Sequence, residues 1–145
     1  MTAIVGNACK LEISPNNSTW LDISGYATSV DPGEMVRNDG EVFVFGSDKG
    51  EVTTGKLAVR EINIEVLYNE GGTCPYGTIR AAIDANSTYY IRWSPQGGGS
   101  AQYQYTSDAG KWVSVNDPGS EADSADPIVL TATFKTPYVT KGLVS

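Results

Sequence analysis

The sequence predicts a mainly β fold, an antiparallel sandwich or barrel of about eight strands with one short flanking α-helix. Three observations carry that prediction. Apolar residues recur at period two through most of the chain, as in "REINIEVLY" and "PIVLTATFK". Clusters of Gly, Pro, Asn and Asp separate these runs at short intervals, so the chain turns often. A single stretch, "TCPYGTIRAAIDAN", changes to helical spacing.

In chain order, "CKLEIS" alternates Cys9, Leu11 and Ile13 against Lys10 and Glu12, and after the turn residues "PNNST" the segment "WLDISGYATSV" resumes extended character. The chain therefore opens with a hairpin. "DPGEMVRNDG", residues 31 to 40, mixes Pro, two Gly and charges of both signs and reads as a mobile loop. "GEVFVFG" offers consecutive strand formers between glycines. Residues 51 to 70 then predict one long strand, with Ile62, Ile64, Val66 and Tyr68 on its buried face and Glu61, Asn63 and Glu65 on a wet one.

The helix is expected over 75 to 86. Thr73 is the candidate N-cap, Pro75 suits the first turn, Ile79, Ala82 and Ile83 form the apolar stripe, and Asn86 suits the exit. Gly77 weakens its first turn. "TYYIRWSP" returns to period two, with Tyr89, Ile91 and Trp93 on one face, and "QGGGS" turns the chain into the strands "AQYQYTS" and "KWVSV". The acidic stretch "NDPGSEADSADP" leads into the last strand, where Ile128, Leu130, Ala132 and Phe134 face inward. The residues after Phe134 lack a long apolar pattern and are expected to be mobile in an isolated subunit. There is no internal repeat and no linker-like composition, so residues 1 to 145 read as a single domain, long enough to bury roughly 68–70% of its unfolded surface.

Composition narrows the chemistry. The chain has 10 basic and 17 acidic residues, a formal net charge of -7 and no histidine. An average surface of that sign repels phosphates, and Ser/His or Cys/His nucleophile pairs cannot be built. Glu61 and Glu65 share a strand face and are the one candidate carboxylate pair for acid/base work, but a solvated strand face explains them better. Asp117, Glu121, Asp123 and Asp126 do not follow the regular spacing of a calcium loop and read as repulsive surface. Cys9 and Cys74 belong to no spaced zinc or redox pair and read as free thiols. Asn17 and Asn86 head N-x-[ST] matches that fit turns. Tyr89, Tyr90, Trp93, Tyr103, Tyr105 and Trp112 could form a sugar-stacking strip, although such residues on adjacent strands are usually core pairs. No basic start followed by an apolar run opens the chain, and no stretch is apolar enough to predict a membrane span, so a soluble, unsecreted protein is expected. No catalytic activity, cofactor or metal is expected.

The runs "TWLDISGYATSVDPGE", "GEVFVFG", "GKLAVREINIEVLYNE", "GTIRAAIDA", "YYIRWSPQGGG" and "DPIVLTATFKTPYVTK" resemble the tail tube (major tail) proteins of long, flexible-tailed bacteriophages. The likeness spans nearly the whole chain and rests on structural motifs. It implies a β-sandwich with a flanking helix that self-assembles into hexameric rings, which stack into a hollow conduit for the genome. It further implies that residues 31 to 56 form an extended loop and hairpin reaching a neighbouring subunit or ring, with Pro32, Gly33, Glu34, Met35, Val36, Arg37, Asn38 and Asp39 as interface residues, and that the termini make further inter-ring contacts. The helix would pack on the outer side of the ring. Glu61, Glu65, Glu121, Asp123 and Asp126 become candidates for an acidic lumen past which DNA moves without specific binding. Implied partners are further copies of the chain, a tape measure protein and a tail terminator. The place is the virion tail, after synthesis in the host cytoplasm. Two other readings remain open at this point, a trimeric capsid decoration protein and a carbohydrate- or receptor-binding module.

Overall fold

The computed structural model describes residues 2–144, and the strong period-two runs are the strands that build its two packed sheets. One sheet has five strands in the order β11 (Val139–Leu143), β8 (Tyr103–Ser107), β7 (Tyr90–Ser94), β1 (Lys10–Ser14) and β2 (Leu21–Asp22). The other has four, β3 (Ala27–Asp31), β6 (Arg60–Leu67), β10 (Val129–Thr136) and β9 (Lys111–Val115). All of their pairings are antiparallel. A separate two-stranded ribbon, β4 (Arg37–Val42) with β5 (Glu51–Leu57), joins β3 to β6. The described residues thus hold eleven strands where about eight are expected, because β2 is two residues long and β4 and β11 lack the apolar alternation that marks a strand in sequence.

The core lies between the two larger sheets and is built from the alternating faces. Ile62, Ile64 and Val66 on β6 and Leu130, Ala132 and Phe134 on β10 are fully buried, facing Leu11, Ile13, Ile91 and Trp93 from the opposite sheet. The register Ile64↔Ala132 and Ile62↔Phe134 keeps both inward sets on one side, since cross-strand partners in an antiparallel ladder share a face. Of the aromatic strip, Tyr89, Trp93, Tyr105 and Trp112 join this packing, whereas Tyr103 is exposed and Tyr90 lies outside the cluster. Trp93 stacks on its cross-strand partner Tyr105 with ring centroids 5.4 Å apart, and Trp112 tilts against Phe134 at 5.1 Å. On the outer face of the five-stranded sheet Glu12 is buried beneath Arg92, whose guanidinium bonds Glu12 Oε1 at 2.9 and 3.0 Å and lies 4.1 Å over the Trp20 ring.

α1 (Pro75–Ala85) lies beside β9 and turns Ile79 and Ala82 into the core. Its start corrects the expected cap. Cys74 occupies the N-cap with no side-chain capping bond, while the Thr73 hydroxyl pairs with the Tyr26 phenol at 2.7 Å. Asn86 does end the helix, in the left-handed conformation at φ 52°, and Asn17 takes the same conformation in its turn at φ 61°. Cys9 and Cys74 are both free thiols.

Two further expectations are corrected. The long strand over 51 to 70 is two strands, broken at Ala58 and Val59, because residues 51 to 57 present no apolar face and peel away with β4. The residues after Phe134 are not loose: β11 pairs with β8 from Val139↔Ser107 to Leu143↔Tyr103, Val139 is buried, and the Val144 amide donates to the Gln102 carbonyl at 2.9 Å.

Candidate assembly surfaces

The hairpin over residues 33 to 56 is exposed at every position, and its hydrogen bonds to the rest of the chain are confined to its root. Its root is well fixed. The Asp31 carboxylate accepts the Gly33 amide at 3.0 Å, Gly33 sits at φ +64° with the Glu61 carbonyl occupying the space a Cβ would need, and Arg60 Nε donates to the Pro32 carbonyl at 2.8 Å. The Ala58 amide closes the root by donating to the Val36 carbonyl at 2.8 Å. So of the candidate interface residues, Pro32 and Gly33 serve as an anchor, Glu34, Met35 and Val36 form an exposed connection, and Arg37, Asn38 and Asp39 lie in β4 and not in a loop. Arg37 donates to the Gly55 carbonyl across the ribbon at 3.0 Å.

The run "EVFVF" departs furthest from expectation. The ladder closes at Val42↔Glu51, leaving Phe43, Val44 and Phe45 in the connection at the tip. Strand formers hold a ladder only where packing rewards them, and nothing faces these. Val42, Phe43, Val44, Phe45 and Val52 are all exposed, Phe45 as fully as in an extended peptide. The Phe43 ring lies across Gly50, where a Cβ would meet it at 2.6 Å. The hairpin thus presents its apolar side chains to solvent, and a two-stranded ribbon alone is marginal in water.

The outer face of the four-stranded sheet is wet, as expected, but its charge is not of one sign. Glu61, Asn63 and Glu65 on β6 stand beside Thr131, Thr133 and Lys135 on β10. Thr133 donates to Asn63 Oδ1 at 2.7 Å, Asn63 reaches Glu61 Oε1 at 3.4 Å, and Lys135 Nζ lies 4.0 Å from Glu61 Oε2. Glu121, Asp123 and Asp126 are exposed in the loop at the other end of the strands from the hairpin, so the structure does not join them to Glu61. Asp117 is not free surface: its carboxylate takes the Tyr76 hydroxyl at 2.7 Å and pairs with Arg80, fastening the loop to α1. Those two bonds, Tyr76 first, hold the Asp117 carboxyl below its ordinary range. No group of three or more His, Cys, Asp or Glu residues among the described residues is arranged to hold a metal ion, and no described helix is long and apolar enough to cross a membrane.

The two antiparallel sheets with one flanking helix among the described residues make a tail-tube-like fold. The chain shares it with known tail components. It is similar at 14% identity and TM-score 0.78 to a chain in the sheath/tube terminator of an extracellular contractile injection system, covering 98% of each chain. At 11% identity and TM-score 0.70 it is similar to the SPP1 tail tube, covering 97% of this chain and 80% of that one. At 10% identity and TM-score 0.70 it is similar to a chain in the C6-symmetric tail of a gene transfer agent particle, covering 99% of this chain and 100% of that one. No family model matches the sequence, and no curated protein matches it.

Proposed function

We propose that this chain is a self-assembling structural subunit of a phage or phage-like tail tube, forming hexameric rings that stack into a conduit for delivery. The observation that carries this reading is the unsupported hairpin with its apolar tip on a tail-tube fold. Ordering 24 residues that are exposed at every position has an entropic cost that contacts from outside can offset, and a ring or stack of copies supplies them. The hairpin leaves one end of the β6–β10 ladder, whereas the acidic loop and the start of α1 lie at the other. Contacts between unlike ends are heterologous and repeat without limit along a line, which is how a tube grows.

On the same reading, residues 1 to 145 act as one domain, and the polar outer face of the four-stranded sheet, with Glu61 and Glu65, lines the lumen. Its hydroxyls, amides and mixed charges offer a passing duplex no phosphate-binding array. Glu121, Asp123 and Asp126 add negative charge at one rim. The partners are further copies, a tape measure protein inside the tube and a terminator at its end, and the subunit works in the virion without catalysing a reaction.

Negative-stain microscopy of the concentrated protein is the test. Tubes or sixfold rings are expected; discrete trimers would move the protein to the capsid surface, and a persistent monomer with glycan affinity would make it a binding module. Replacing Glu121, Asp123 and Asp126 with lysine should preserve assembly and slow DNA release at low ionic strength.

A further inference from the structure

The end of the sandwich opposite the hairpin root carries an aromatic feature of its own. The register of β6 on β10 runs from Arg60↔Thr136 to Leu67↔Val129. The hairpin root joins the first of these ends, because β3 finishes at Asp31 and β6 begins at Arg60. The second end is about 23 Å away along the strand at the usual rise per residue. There the chain leaves β6 at Tyr68 and enters α1 at Pro75, and between them opens a groove of about 530 Å³.

The groove is aromatic and nearly uncharged. Its walls are Tyr68 and Tyr76, packed edge to face with centroids 5.5 Å apart, and its floor carries Gly72, Gly77 and Ala81. A side chain at Gly72 or Gly77 would meet nothing within 4 Å, so the space above both is open. Both phenol hydroxyls are already engaged, Tyr68 donating to Glu70 at 2.9 Å and Tyr76 to Asp117 at 2.7 Å, which leaves the half-exposed rings as the free part of each side chain. Glu70 is the one charged lining residue.

We propose that Phe43, Val44 and Phe45 of one copy seat in the Tyr68–Tyr76 groove of the copy stacked head to tail on it. The proposal rests on the tube reading and names the contact that joins successive rings. Charge selects this groove over its neighbour at the same end. The tip carries Glu41, Asp48 and Glu51 against Lys49, and the adjoining acidic loop cavity is lined by Glu121 and Asp126, so like charges oppose entry there. The aromatic groove meets the tip with ring faces and one carboxylate, for which Lys49 is a partner. Offset or edge-on aromatic contacts between tip and groove follow from two phenylalanines meeting two tyrosines.

Cysteine cross-linking tests it. In a background with Cys9→Ser and Cys74→Ser, Phe45→Cys is combined in turn with Gly72→Cys in the groove, Ser120→Cys in the acidic loop and Val5→Cys near the N-terminus. Each protein is assembled and treated with a short bismaleimide. A ladder of covalent multimers from the Gly72 pair alone is the expected result. Tubes that yield a ladder from the Ser120 or Val5 pair instead, or from none, overturn the groove while leaving the tube reading intact. Chains that neither assemble nor cross-link, with the parent protein equally unassembled under the microscope, overturn both.

Discussion

Phe45→Ser separates assembly from folding more cleanly than any other single change. The side chain has no contact to lose in the isolated subunit, where it is exposed to 113% of the reference value, so the folded subunit should melt where the parent does. On the proposed docking it would be buried against another copy, and burying a phenylalanine is worth about 1.5–3 kcal/mol. Taking about 2 kcal/mol per subunit contact, the concentration at which polymer appears rises roughly 30-fold. Pelleting across a concentration series reads that threshold directly, and a circular dichroism melt of the unassembled protein supplies the stability control. Val113→Ser, an exposed apolar position on β9 away from the hairpin, should shift the threshold little. An unchanged threshold for Phe45→Ser would refute the role of the tip, and a large fall in the subunit's melting temperature would show that the hairpin packs on its own sandwich after all.

Further outcomes follow from the same structure. Amides of residues 33 to 56 should exchange rapidly in the free subunit and slowly in the assembly, while those of β11 should be protected in both, as hydrogen exchange by mass spectrometry can show. Gly110→Ala should destabilise the subunit by about 1–3 kcal/mol in a denaturant titration, because a Cβ there would run into the Lys135 carbonyl and the Phe134 ring, neither of which can move freely in a packed core. Arg92→Met should cost about 3 kcal/mol by leaving the Glu12 carboxylate buried with only Lys10 at 3.9 Å, and adding Glu12→Gln should recover part of that loss in a double-mutant cycle. Asp117 has a folded-state pKa below its unfolded value, so its hold on the loop is complete above about pH 4 and is lost as pH falls through the lower, folded value. The Tyr76 and Arg80 side-chain chemical shifts should therefore be flat down to about pH 4 and move below it, and Asp117→Asn should remove that transition.

The sandwich was legible because burial leaves a signature that one strand carries alone. Ile62, Ile64 and Val66 alternate with Glu61, Asn63 and Glu65 whatever lies beside them, and Leu130, Ala132 and Phe134 do the same, so both strands and the side each turns to the core could be read before any pairing was known. Asn86 could be read as a helix exit because a left-handed residue is a local demand. The hairpin could not be drawn correctly on those terms. "EVFVF" has the composition of a buried strand, and only the register that closes the ladder at Val42↔Glu51 puts its aromatics at a solvent-facing tip. β11 was missed for the complementary reason, since its order comes from backbone bonds to β8, which composition does not record. Likewise Asp117 looks like its acidic neighbours until α1 brings Tyr76 and Arg80 against it, and the Tyr68–Tyr76 groove exists only where the end of β6 meets the start of α1. Alternation along a strand is a property of neighbours in the chain and survives in the sequence; a docking tip and its groove depend on which distant segments meet, and that is decided by the tertiary fold.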